Sequence, residues 1–278
     1  MKIIKTIFIV ILIMILIIVS CVIYAFKIEP YRVKINEQVY KTGDRTSNVK
    51  IAQFSDVHIK EDFTSQNFSK VVDKINSKNP DIVVFTGDLY DNYSTYSEDE
   101  SLKDELERIN AEYKFAVWGN RDYGGGASNA YEKLMYESGF KILKNETEIL
   151  DINGKKIMIT GIDDSMLGNP YIEKSSENAD IKILLSHEPD VVDNYVEYGY
   201  NLALSGHSHG GQIDIPFVPD VNRIALSKTA MNDKYTAGMY TIDESTGQKI
   251  YVNTGIGTTH VSARFGVVPE VTLFDIWM

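Results

Sequence analysis

The chain opens on 21 consecutive residues without a charge, Thr6 to Phe26 (TIFIVILIMILIIVSCVIYAF). The run has no polar face, unlike the amphipathic pattern of a helix packed on a core. At 1.5 Å per residue it is long enough to span a hydrocarbon layer of about 30 Å. From Val49 onward the pattern changes. Residues 49–56 (VKIAQFSD), 81–88 (DIVVFTGD) and 114–120 (KFAVWGN) are short apolar runs predicted as buried strands. Between the first two, Phe68, Val71, Val72 and Ile75 fall at helical spacing within 67–79, with Pro80 as a stop. Leu102, Leu106 and Ile109 do the same within 102–113, and a third helix is expected over 129–139. Strand–helix alternation of this kind predicts a largely parallel sheet with helices packed on it.

The second half reads differently. Residues 148–163 (EILDINGKKIMITGID) place Asn153-Gly154 between two strand-like runs, a hairpin signal. Short buried strands follow at 181–187 (IKILLSH) and 201–209 (NLALSGHSH), joined by a helical 190–199, and the tail after 237 reads as antiparallel strands. The expected fold is α/β: two mixed β-sheets face to face, flanked by helices and preceded by one transmembrane helix. The expected division is a basic tail at 1–5, an anchor at 6–26, a linker at 27–48 and one domain over 49–278.

Composition sharpens this in three ways. With 278 residues, 44% of them hydrophobic, the chain can bury a large single core. A net charge of −11 argues against nucleic-acid binding by bulk charge. The one cysteine, Cys21, allows no intrachain disulfide. An uncleaved anchor in the cell membrane is favoured over a cleaved signal, because no small-x-small cleavage site follows the run. The alternative is a lipoprotein modified at Cys21, since Ile18–Cys21 (IVSC) resembles a lipobox, although the apolar run continues beyond it as VIYAF. Basic residues flank both ends (Lys2 and Lys5 against Lys27, Arg32, Lys34 and Lys41). A short basic tail kept inside would put the domain on the extracytoplasmic side.

Polar residues gather where the strands end. The first strand ends in Asp56-Val57-His58, the second in Gly87-Asp88 with Asp91 beyond, and the third in Gly119-Asn120-Arg121-Asp122. The fourth ends in Ser186-His187-Glu188 and the fifth in Gly206-His207-Ser208-His209, so four of the five histidines sit at strand ends. The C-terminal edge of such a sheet is where ligands bind. Imidazoles and carboxylates without thiolates suit divalent ions such as Mn²⁺, Fe²⁺ or Zn²⁺. Seven ligands exceed the need of one ion and suit two, about 3.5–4 Å apart, the arrangement that clamps a phosphoryl displacement.

These five motifs, Asp-x-His, Gly-Asp-x-x-Asp, Gly-Asn-x-Asp, a lone His and Gly-His-x-His, resemble in type and order the calcineurin-like metallophosphoesterases. The likeness runs from about residue 49 to the C-terminus, and "GHSHGGQ" with the late "KYTAGMY…GIGTTHVSARFG…PE" resembles the membrane-associated bacterial branch. The resemblance implies Asp56, His58 and His209 on one metal, Asn120, His187 and His207 on the other, and Asp88 bridging. It further implies that a hydroxide shared by the metals attacks phosphorus in line, with Asp91 orienting a ligand. Arg121 departs from the histidine that many relatives carry. A guanidinium keeps its proton at physiological pH, so it cannot act as an acid, yet it can stabilise phosphoryl charge. That favours a phosphate leaving group, as in a nucleotide- or lipid-linked pyrophosphate, and Gly-Asn-Arg-Asp is similar to the UDP-2,3-diacylglucosamine pyrophosphatases. The structural alternative pairs Arg121 with Asp122 or Asp91. Residues 121–129 (RDYGGGASN), with three consecutive glycines, are either a mobile substrate loop or a plain connection, Arg264 is expected to reach the substrate, and His260 is expected to be a solvated surface residue. The expected function is a membrane-anchored, two-metal phosphodiester or pyrophosphate hydrolase. The alternatives are a general phosphomonoesterase and a non-catalytic metal-binding or sensing module.

Overall fold

The computed structural model describes residues 2–43, 45–226 and 230–278. Two six-stranded mixed sheets lie face to face. The first has the order β1(Lys34–Lys41), β12(Glu270–Trp277), β2(Asn48–Phe54), β3(Ile82–Phe85), β4(Tyr113–Ala116), β5(Lys141–Ile142). The second runs β10(Gly238–Asp243), β11(Gln248–Val252), β9(Leu202–Ser205), β8(Ile181–Leu185), β7(Lys155–Gly161), β6(Glu146–Ile152). β2 through β5 are parallel, as are β7, β8, β9 and β11.

The central strands read as continuous apolar runs because both faces of each sheet are covered. Val49 and Ile51 of β2, Ile82 and Val84 of β3 and Phe115 of β4 point to the second sheet, where they meet Ile157, Ile159, Ile183, Leu185 and Leu204. The alternate residues Ala52, Phe54, Val83 and Phe85 face the helices α2(Ser65–Asn76), α3(Asp99–Glu107) and α5(Ser128–Glu137). Helical spacing in α2 places Phe68, Val71, Val72 and Ile75 in that layer, all fully buried. Its first turn is capped by Asn67, whose Oδ1 accepts from the Thr64 amide at 3.0 Å. The outer face of the second sheet is covered by Val191, Val192 and Tyr195.

Several elements depart from the pattern read along the chain. The helix expected over 102–113 starts earlier, at Asp99, and ends at Glu107. The Asn110 amide is taken by Asn76 Oδ1 at 2.9 Å, and Tyr113 already pairs with Ile82. Residues Asp190–Tyr198 form 3-10 turns rather than an α-helix. The tail is not wholly antiparallel, because β11 runs parallel to β9 and β12 parallel to β1. Residues 27–48, expected as a linker, contain β1, an eight-residue edge strand. Only one of its eight residues is buried, so it gives little apolar signal, which is how edge strands commonly look.

Ahead of it, α1(Lys2–Lys27) is one continuous helix, long and apolar enough to cross a membrane by length and composition. Its last turn is docked: Ala25 is buried, and its carbonyl accepts from the Arg264 amide at 2.9 Å.

Candidate metal centre

The C-terminal ends of β2, β3, β4, β8 and β9 converge on one edge of the sandwich. Asp56 and His58 follow β2, Asp88 follows β3, and Asn120 opens the short helix α4(Asn120–Tyr123) after β4. His187 follows β8, and His207 and His209 follow β9. All are buried except Asn120, which is half-buried. Three overlapping groups bring ligand atoms close together: Asp56, His58 and His209; Asp56, Asp88 and His187; and His187, Glu188 and His207. Asp88 stands between the histidines of the two sides, with Oδ2 3.5 Å from His58 Nε2 and Oδ1 3.5 Å from His187 Nε2.

Holding these residues strains the backbone. Asp56, His58, Asp88, His207 and His209 all have φ between 48° and 71°. The left-handed region costs an L-residue about 1–2 kcal/mol, and such strain persists where the surroundings over-determine it. Those surroundings are visible. The His207 amide donates to Asp56 Oδ2 at 3.0 Å, tying one sheet to the other. The Arg121 amide donates to Asp88 Oδ1 at 2.8 Å. Gly119 makes the close approach possible: a Cβ there would lie 2.4 Å from Asp88 Oδ1 and 2.6 Å from the Asp88 amide. Gly206 does the same on the other side, where a Cβ would meet Ser55 Oγ at 2.0 Å.

The imidazole tautomers test whether a cation fits. His187 Nδ1 lies 2.7 Å from the Thr86 carbonyl, and His207 Nε2 lies 2.7 Å from the Ala230 carbonyl. A carbonyl only accepts, so each of those nitrogens carries the proton. The other two nitrogens, His187 Nε2 and His207 Nδ1, therefore face each other across 3.1 Å. A proton on His187 Nε2 bridges that gap as a hydrogen bond, and a divalent ion held by the two neutral imidazoles takes the same place when it displaces that proton. On the other side, His58 Nε2 and His209 Nε2 are 3.0 Å apart, and His58 Nδ1 lies 3.2 Å from Asp91 Oδ1 without meeting hydrogen-bond geometry.

The electrostatics divide the four imidazoles into two pairs. Burial lowers the pKa of His207 and His209, keeping them neutral as metal ligands must be. Burial opposes charge on His58 and His187 as well, but the Asp56 and Asp88 carboxylates outweigh it and raise both. Burial also resists ionisation of Asp56, Asp88 and Asp91, and the neighbouring histidines overcome it and hold all three low. The edge is thus a nest of carboxylates and imidazoles with a net pull on cations.

Two further residues frame the site. The fully buried Asp122 carboxylate accepts three amides, from Asp88 at 2.8 Å, Leu89 at 2.9 Å and Gly119 at 2.9 Å. Burial and the nearby Asp88 push its pKa to about 7. Three donors face it, so the ionised form is the one that fits its hydrogen bonds. Arg264 is fully buried, correcting the expectation that it reaches substrate. Its guanidinium donates to the carbonyls of Gly257 at 2.6 and 3.0 Å, Thr254 at 2.8 Å and Val267 at 3.2 Å, and NH2 lies 3.4 Å from His209 Nδ1. Burial lowers its pKa to about 10, so it stays charged at neutral pH.

The guanidinium of Arg121 forms no ion pair among the described residues and donates to Thr259 Oγ1 at 3.3 Å. It therefore pairs with neither Asp122 nor Asp91. Gly125 is tied down through its carbonyl, which accepts from the Ser94 amide at 2.8 Å. His260 is exposed. Asp122 lay within a quoted motif but was read only as a partner for Arg121. Glu188 lay at the end of the fourth strand but was given no role, and Arg264 was read as a substrate contact rather than as the buried donor that it is.

Fold and cluster together define a metal-binding α/β sandwich with its centre on the C-terminal strand edge. Residues 49–211 match the family model for calcineurin-like phosphoesterases. Over 261 residues the chain is 38% identical to the uncharacterized metallophosphoesterase YkuE of Bacillus subtilis (strain 168), covering 91% of this chain and 88% of that protein. It is 26% identical over 306 residues to the UDP-2,3-diacylglucosamine pyrophosphatase LpxG of Chlamydia trachomatis, covering 90% and 91%. Among solved structures, the Haemophilus influenzae NAD nucleotidase gives a TM-score of 0.47 at 13% identity, over 74% of this chain and 50% of that one. The chain belongs to the calcineurin-like phosphoesterase family, and it is a metal-dependent hydrolase.

Proposed function

We propose that the protein is a membrane-anchored, two-metal hydrolase of a phosphodiester or pyrophosphate bond in a lipid- or nucleotide-linked substrate. In this reading Asp56, His58 and His209 hold one ion, Asn120, His187 and His207 hold the other, and Asp88 bridges them. The observation that carries it is the placement of Asp88, which offers one oxygen to each side of the cluster. Bound there, divalent ions, Mn²⁺ first among them and Fe²⁺ or Zn²⁺ next, would polarise the phosphoryl group and activate the attacking water. Asp91 beside His58 Nδ1 orients that ring. Asp122 holds the Asp88 and Gly119 backbones in register.

Arg121 selects the leaving group. Without a carboxylate partner its guanidinium is available to a phosphoryl oxygen. A phosphate leaving group, with its second pKa near 6, needs no proton from the protein; an alkoxide does. The full-length likeness to a pyrophosphatase supports the same choice. α1 is the anchor, with the domain on the extracytoplasmic side of the cell membrane.

The test is turnover of three substrates by the Mn²⁺-loaded full chain in detergent: a UDP-sugar pyrophosphate, an activated phosphodiester and an alkyl phosphomonoester. The expected result is chelator-sensitive preference for the pyrophosphate. Arg121→His should cut that activity by about 100–1,000-fold, the scale of one lost charge-stabilising donor, and raise alkyl monoester cleavage. An Arg121→His protein with unchanged preference refutes the leaving-group argument.

A further inference from the structure

α1 meets the domain on the same edge as the metal centre. Tyr24 packs edge to face on Phe265 with centroids 6.1 Å apart, and the Ala25 carbonyl takes the Arg264 amide. The other end of that arginine lies against His209. One side chain therefore separates the end of the apolar helix from a residue of the cluster. β1 gives the same orientation. It pairs parallel with β12, which is antiparallel to β2, so β1 begins at the edge where β2 ends.

An apolar tip stands beside this junction. The Asp214 amide donates to the Phe265 carbonyl at 2.7 Å, and Ile213 bridges Phe265 and Gly266. The chain then runs out through Ile215, Pro216, Phe217 and Val218. Phe217 is wholly exposed, and Ile215 and Val218 are exposed with it. The helix α6(Pro219–Leu226) returns the segment to the turn after His209, where Asn222 Nδ2 donates to the carbonyls of Gly210 at 2.9 Å and Ile213 at 3.2 Å. Val261 is also exposed, and its carbonyl accepts from Gln212 at 3.0 Å. An aromatic residue held out in water at a turn between two prolines, next to a helix of membrane-spanning length, has an apolar phase within reach.

The geometry points to a second membrane contact: the tip Ile215–Val218, with Val261, enters the interfacial layer of the phospholipid bilayer that α1 crosses. This rests on the reading of α1 as an anchor. The contact sets the mouth of the metal centre at headgroup level, so the substrate class it serves is a phosphate- or pyrophosphate-bearing lipid presented from the bilayer. The same contact would hold the tip and α6 against the turn that carries His209.

The experiment uses the full chain with Cys21→Ser, reconstituted in phosphatidylcholine–phosphatidylglycerol vesicles. Single cysteines replace Phe217, Val261 or Glu244 (Phe217→Cys, Val261→Cys, Glu244→Cys) and carry an environment-sensitive fluorophore. Glu244 is exposed in the β10–β11 turn. β11 runs parallel to β9, so that turn lies at the edge opposite His207 and His209. Lipids bearing a shallow nitroxide should quench the 217 and 261 labels, as for side chains buried about 5–10 Å into the headgroup–acyl boundary, and leave the 244 label unchanged. Alkaline carbonate extraction of the same vesicles tests the anchor separately. Protein released by carbonate overturns the anchor and the tip contact with it. Protein that stays embedded while its 217 label is quenched no more than its 244 label overturns the tip contact alone.

Discussion

Asp122→Asn is the most informative single substitution outside the ligand set. The carboxylate uses Oδ2 for the Asp88 and Gly119 amides and Oδ1 for the Leu89 amide. Asparagine has one acceptor oxygen, so at best two amides keep a partner and the third faces an NH2 group. Hydrogen bonds to a charged group contribute about 1.5–3 kcal/mol each, and an unsatisfied buried amide costs about 1–3 kcal/mol. The expected loss is about 3 kcal/mol, taking one bond as broken and two as weakened. For a domain of this size that corresponds to a fall in Tm of about 6–12 °C. The change also frees Asp88 and Gly119, which lie against each other beside His187, so Mn²⁺ affinity should fall together with stability. Thermal unfolding of the full chain in detergent, followed by tryptophan fluorescence with and without Mn²⁺, reads both effects. A variant with Tm within about 2 °C of the parent and the same stabilisation by Mn²⁺ would refute the claim that Asp122 organises the site.

Two further substitutions follow from the same contacts. Gly119→Ala places a Cβ against Asp88; displacing that carboxylate by about 1 Å should lower kcat about 100-fold, as measured on the pyrophosphate substrate at saturating metal. Arg264→Met removes the donor from the buried Gly257 carbonyl and the part-buried carbonyls of Thr254 and Val267 and should cost about 3 kcal/mol, seen as a lower denaturant midpoint for the full chain in detergent.

The layers of the fold were legible because they depend on pattern. Ile51, Ile82 and Val84 lie in runs that only a strand buried on both faces would need, and Phe68 to Ile75 keep the spacing of one helix face. Asn153-Gly154 marked the β6–β7 hairpin. β1 was not legible, since a polar edge strand is recognised by its partner β12 and not by its own side chains. Asp56, His58, Asp88, His187, His207 and His209, which the structure brings together, could be found because each follows an apolar run. The scaffold behind them could not. The bonds from Asp122 to three amides and from Arg264 to three carbonyls are tertiary facts, made with backbone groups that carry no residue identity. The tautomers of His187 and His207 likewise depend on the carbonyls of Thr86 and Ala230.

The central claim is a centre of two ions bridged by Asp88. Metal analysis of the purified full chain, with turnover of the pyrophosphate substrate measured on the same sample, tests it most directly. The account predicts two divalent ions per chain, one per chain in His207→Ala, and activity that follows the second ion as it is removed by chelator and restored. Full activity with a single ion per chain, or none, would contradict it.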